Sequence, residues 1–149
     1  MIQVQALPFG LEAPPTDEPV GTPPTSAIPH NREAEEAVIG AVLINPDIFP
    51  DLAASLKAKD FYIIRHRWIW EAFGRLRDKN TPFDFLIVSD ELESAGQLAD
   101  IGGSAYLTAL LNRVPTSLHA KAYANLVQDA SIRRRMLTDA NQLATRAYD

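Results

Sequence analysis

Apolar residues recur at helical spacing along most of the chain from Asn31 onward. Ala34, Ala37, Val38, Ala41 and Val42 fall at i, i+3 and i+4, one stripe of a helix. Asn31 stands where an N-cap belongs, and Glu33 and Glu35 suit the positive end of the helix dipole. Asn45-Pro46 then closes this helix and opens another, with Asn as cap and Pro at the first helical position. Ile48, Phe49, Leu52 and Leu56 form its apolar side. A third helix is expected to start at Asp60 as cap, burying Phe61, Ile64, Trp68, Ala72, Phe73 and Leu76, and to stop at Thr81-Pro82. Asp84 opens a fourth, which runs to about Ala95, with Gly96 as its left-handed C-cap. A short turn bracketed by Leu98 and Ile101 leads to Gly102-Gly103. A helix from Ser104 to Asn112 follows, and Pro115 stops it.

The last segment, 117–149, contains neither Pro nor Gly, and Thr116 or Ser117 is expected to cap it. If fully helical it is about 50 Å long, at about 1.5 Å per residue. Tyr123, Ala130, Leu137 and Ala144 repeat every seven residues, thickened by Leu126, Val127, Ala140 and Ala147. Arg133 and Arg134 interrupt this seam. A helix striped in this way needs something to lie against. No segment has a convincing strand pattern; the nearest, residues 85–88, continues with helical spacing. The expectation is an all-α fold: a compact bundle of about six helices, ending in a long helix.

Composition divides the chain into three parts. Residues 1–28 hold six of the eleven prolines, carry Glu12, Asp17 and Glu18, and have no Lys or Arg. Proline blocks helix propagation, and so few large apolar groups do not offset ordering entropy. A disordered leader is predicted there. Residues 29–116 form a globular helical head, and 117–149 the long C-terminal helix. With 46% apolar residues among 149, one domain with a real core is expected. The net charge of −5 does not suggest a nucleic-acid coat, and the absence of cysteine excludes disulfides and thiolate metal sites. No apolar run approaches the roughly 18 residues needed to cross a bilayer. The N-terminus lacks the basic start of a secretory signal. A soluble, cytoplasmic protein is the default expectation.

Candidate chemistry is sparse. His30, His66 and His119 lack metal-ligand spacing, and His66 reads as a structural histidine. The acidic residues fall singly and read mostly as solvated charge. No nucleophile–base arrangement is present, so no catalytic, cofactor-binding or metal residue is assigned. The paired glycines Gly102 and Gly103 raise the question of a phosphate loop, but no G-x-x-x-x-G-K-[ST] surrounds them. They read as an architectural corner that allows positive φ. Arg133, Arg134 and Arg135 cannot share one helix face, and at least one must point near the seam. A solvated helix, a partner's carboxylates and nucleic-acid phosphates are the three readings of that run.

Four stretches in order resemble one family: AEEAVIGAVLINPD (34–47), KDFYIIRHRWIWEAF (59–73), FDFLIVSDELESAGQLADIGGSAYLTALLNRVPT (83–116) and YANLVQDASIRRRML (123–137). Together they resemble the N-terminal domain of the bacterial hexameric replicative DNA helicase, the DnaB family. In that family the Ile101–Leu107 pattern marks a corner, and the nucleotide site lies in a separate C-terminal motor domain. The resemblance therefore implies no cofactor here, with ATP and Mg expected only in the motor. It implies a collar of helical heads and paired hairpins that assembles the hexamer and contacts primase and the helicase loader, with DNA engaged mainly by the motor. The final helix resembles the first arm of that hairpin, and Asp149 falls about where the turn to the second arm is expected. Ile87 departs from a frequent threonine, and the proline-rich leader is longer than usual. The interface candidates are Tyr123, Leu126, Val127, Ala130, Leu137 and Ala144, with Arg133, Arg134 and Arg135 as charged selectors. Two alternatives stay open: a stand-alone adaptor related to the helicase-binding domain of primase, and a small helical DNA-binding module.

Overall fold

A computed structural model describes residues 28–149; the leader expected at the N-terminus lies outside them, apart from Ile28. Among the described residues there are seven α-helices, two 3-10 turns and no strand. The helices are α1 (Arg32–Ile44), α2 (Phe49–Ala53), α3 (Ile64–Asp78), α4 (Phe85–Ser94), α5 (Leu98–Ile101), α6 (Gly103–Leu111) and α7 (Ala120–Tyr148). The 3-10 turns are Pro46–Ile48 and Ala58–Asp60.

Side chains close at hand fix most boundaries. Asn31 Oδ1 accepts the Ala34 N–H at 3.0 Å, Asn45 Oδ1 accepts that of Asp47 at 3.3 Å, and Asp84 Oδ1 accepts that of Ile87 at 3.0 Å. Gly96 has φ 73° just past α4, and Gly102, at φ 108°, ends α5 and begins α6. Asn80 plays the same part after α3 at φ 54°, with the Thr81 N–H reaching back to the Leu76 carbonyl.

Three expectations fail. Asp60 does not cap α3: its Oδ2 accepts the Lys57 N–H at 2.8 Å and its Oδ1 accepts the Ser131 hydroxyl at 2.8 Å, so it is buried and committed elsewhere. The helix begins at Ile64, after extended backbone at Phe61 and Ile63. Its buried stripe is accordingly His66, Ile69, Trp70, Phe73 and Leu76, with Ala72, while Ile64 is exposed and Trp68 half-buried. Finally, α7 starts at Ala120, because the Thr116 hydroxyl accepts the Leu118 N–H within the preceding turn.

The core centres on α1, which is buried on every side from Ala34 to Leu43 and packs chiefly against α7 and α6. Its small residues make this possible. A Cβ on Gly40 would run into the Leu110 carbonyl oxygen, so only glycine allows α6 to approach so closely. Phe49, Phe61, Trp70 and Phe73 fill the other end of the core in largely edge-on contacts.

Candidate functional site

The chain divides at Arg134. Up to that residue α7 packs on the head; beyond it every residue is exposed. Ala120, Ala124, Val127, Ala130 and Ser131 face inward. Gln128 Nε2 donates to the Ser55 carbonyl at 3.1 Å. The Arg134 guanidinium donates to the carbonyls of Pro29 at 2.9 Å and Asp60 at 2.6 Å, and burial pulls its pKa below the ordinary arginine value.

The residues of the expected seam therefore separate. Val127 and Ala130 belong to the chain's own core, and Tyr123 is half-buried beside them. Leu126, Leu137 and Ala144 are exposed, as are Arg133 and Arg135. Helix geometry explains the split. Leu137 and Ala144 continue the line through Ala130 but lie beyond Arg134, where the helix has passed the head, and Leu126 sits about 100° round the helix from Val127. With about 100° between residues, Ile132, Met136, Ala140, Leu143 and Ala147 gather on the side of α7 opposite Val127. Ile132, Met136 and Leu143 of this outer stripe are exposed large apolar side chains. The heptad reading found Ala140 and Ala147 but passed over Ile132, Met136 and Leu143. Scanning for the 3-4 alternation across the second half alone would have found them.

A second polar cluster lies beneath the head's surface. Glu35 accepts three donors: the N–H groups of Tyr62 at 2.8 Å and Ile63 at 3.3 Å, and His66 Nδ1 at 2.8 Å. In that tautomer His66 Nε2 accepts the Tyr106 hydroxyl at 2.6 Å. Burial raises the pKa of this phenol above its ordinary value, against the opposing effect of Arg65, whose guanidinium lies 3.9 Å over the ring. His66 and Glu35 are 0% and 1% exposed, so no substrate reaches them, and the cluster joins α1, α3 and α6. Glu35 and Asp60, read from the sequence as helix-end residues, are thus buried, and so is Glu36, which pairs with Arg32 at 3.2 Å and Arg113 at 2.8 Å.

Gly102 and Gly103 form the turn between α5 and α6, with the Gly102 N–H donating to Ala99. Among the described residues, no three His, Asp or Glu side chains are grouped as metal ligands, and no helix is long and apolar enough to cross a membrane.

Comparison with known proteins agrees with this geometry. The family model described as the DnaB-like helicase N terminal domain matches residues 27–129. The replicative DNA helicase DnaB of Geobacillus stearothermophilus is 37% identical over 120 residues, which is 80% of this chain and 26% of that protein. That of Treponema pallidum is 36% identical over 135 residues, 91% of this chain and 30% of that protein. The chain thus spans about a quarter to a third of these relatives, at 26% and 30%. The crystal structure of the N-terminal domain of DnaB helicase from Mycobacterium tuberculosis superposes with a TM-score of 0.79 at 31% identity, covering 82% of this chain and 87% of that one. The corresponding domain from Helicobacter pylori shares the fold, with a TM-score of 0.68 at 20% identity over 78% of this chain and 91% of that one. The matched model describes the N-terminal domain of DnaB-like helicases, and the 149 residues contain no Walker motif. With these matches over most of its length, the chain belongs to the family of DnaB-like helicase N-terminal domains.

Proposed function

We propose that the chain is the collar portion of a bacterial replicative DNA helicase, working in the cytoplasm at the replication fork through contacts between proteins. In this reading the head and α7 hold subunits together and present a surface to primase and to the helicase loader, while ATP hydrolysis and unwinding belong to a separate motor. The observation that carries it is the outer stripe of α7, which the head leaves uncovered. Apolar area of this kind gains about 25 cal/mol per Å² when a partner covers it. The interface residues are Met136 and Leu143 of that stripe, flanked on one side by Leu126, Leu137 and Ala144, and Arg133 and Arg135 act as charged selectors. Val127, Ala130 and Arg134 support the arm from within.

Two of the similar structures, the Helicobacter pylori domain and a DnaB-like replicative helicase, are described together with their interactions with primase, which supports the recruiting part of this reading. The state of the arginine run favours protein over nucleic acid. Arg134 spends its donors on backbone carbonyls, which leaves Arg133 and Arg135 on different sides of the helix.

Sedimentation equilibrium over a wide concentration range tests this. The doubly substituted chain Met136→Asp/Leu143→Asp should self-associate at least about tenfold more weakly, with an unchanged melting temperature, because each buried residue of this size is worth about 1.5–3 kcal/mol. Equal association of the two chains overturns the assignment of the interface.

A further inference from the structure

The last two hydrogen bonds that α7 makes with the head go to a single residue. Ser131 donates its hydroxyl to Asp60 Oδ1 at 2.8 Å, and one turn later Arg134 donates to the Asp60 carbonyl at 2.6 Å. Asp60 is itself pinned, because its Oδ2 accepts the Lys57 N–H at 2.8 Å. The 3-10 turn Ala58–Asp60 is therefore the seat from which the helix leaves the head.

Arg134 has a second partner at that seat. Its other amino group donates to the Pro29 carbonyl at 2.9 Å. His30 stacks on Tyr62 with ring centroids 4.4 Å apart, and the Arg134 guanidinium lies 5.4 Å from the centroid of the same Tyr62 ring. His30 Nδ1 donates to the Ile28 carbonyl at 2.8 Å, which closes the segment on itself. Among the described residues, the bond from Arg134 is the one hydrogen bond that ties residues 28–30 to another element. The next residue, Asn31, caps α1. One side chain thus joins the start of α1, the 3-10 turn and the exit of α7.

We infer that residues 28–30 are a strap which, closed through Arg134, fixes the angle at which α7 leaves the head. Opening the strap removes one of the two carbonyls from the guanidinium and the stack from Tyr62, so the Arg134 fork is held by Asp60 alone. The angle matters because of length. Beyond Arg134 every residue is exposed, and the helix runs about 20 Å further to Tyr148 at about 1.5 Å per residue. On an arm of that length a rotation of about 10° at the seat moves the tip by about 4 Å. The coupling is reciprocal, so whatever fixes the arm also favours the closed strap. All of these contacts lie within one chain, and the strap stands or falls independently of the interface assigned to the outer stripe.

The chain has no cysteine, so two nitroxides can be placed at will. Ala109→Cys on α6 and Gln142→Cys on α7 are both exposed positions, and double electron–electron resonance between them reads the arm's angle as a distance. Excess unlabelled chain keeps the measured pairs within single molecules. The parent chain should give one narrow distribution. Arg134→Gln should widen it at least about twofold, given the lever arm, and Arg134→Lys, which keeps the charge but loses the fork, should fall between. His30→Gly removes the ring from Tyr62 and frees the backbone of the strap at an exposed position, and it should widen the distribution with the head's melting temperature unchanged. That substitution decides the matter even if Arg134→Gln proves unstable. A distribution that keeps its parent width in His30→Gly overturns the strap, whatever Arg134→Gln does, because Arg134 would then act through Asp60 alone.

Discussion

The two halves of α7 share one helix and one backbone geometry, yet they have opposite fates. The half up to Arg134 buries Ala120, Ala124, Val127 and Ala130, mostly small residues, while the half beyond it exposes Met136, Leu137 and Leu143, which are larger. Hydrophobicity alone would rank them the other way. Position along the helix decides the outcome: up to Arg134 the head-facing line carries small residues because α1 lies close against it, and beyond Arg134 the helix has passed the head, so every side is exposed whatever its residue. A residue's role in α7 is therefore set by its place along the helix before its size.

The sharpest way to break the comparison is to place the same charge on each half. Val127→Asp should cost about 3–5 kcal/mol in chemical denaturation, because a carboxylate enters a core with no partner for it. Leu143→Asp should change stability by less than about 0.5 kcal/mol. Equal effects would show that the distal half is covered within the isolated chain. Next in size is Gly40→Ala, which tests whether α1 must lie this close to its neighbours. The added methyl meets the Leu110 carbonyl, and forced overpacking costs about 1–3 kcal/mol by the same assay. Tyr106→Phe removes the hydroxyl from His66 Nε2 and should cost about 1–2 kcal/mol; an unchanged melting curve would show that water replaces it without loss.

The smallest effect concerns pH. Hydrogen bonds from Arg75 at 2.7 Å and Lys79 at 2.9 Å hold the Glu91 carboxyl below its ordinary value of 4.5. A folded pKa below the unfolded one means that the contribution is fully present above 4.5 and disappears as pH falls through the lower, folded value. Glu91→Gln should therefore narrow the stability difference between neutral and acidic pH, and identical pH profiles would show that the α3–α4 pairs add nothing.

Much of this architecture is legible in the sequence wherever the controlling interaction is local. Asn31, Asn45 and Asp84 cap within three residues, and Gly96 and Gly102 adopt the left-handed backbone that their neighbours need. Asp60 was misread because its partner Ser131 lies 71 positions away. The stripe of α3 was misplaced for a related reason. It contains a polar member, His66, whose burial depends on Glu35 and Tyr106 from other helices, so hydropathy pointed to Ile64 and Trp68 instead. The family resemblance rested on order and spacing across four segments, information that no single stretch holds. The proposed interface is legible only in part, since seven-residue periodicity finds a line along a helix but not where along that line the head stops covering it.

The absence of glycine and proline from α7 has a mechanical consequence. Sharp kinks need such residues, or an interrupted hydrogen-bond ladder, and α7 runs unbroken from Ala120 to Tyr148. The helix is thus a lever without a joint. A load applied near Leu143 is not absorbed on the way; it arrives as torque at Val127 and Ala124 and passes directly into α1, the most enclosed strut of the domain.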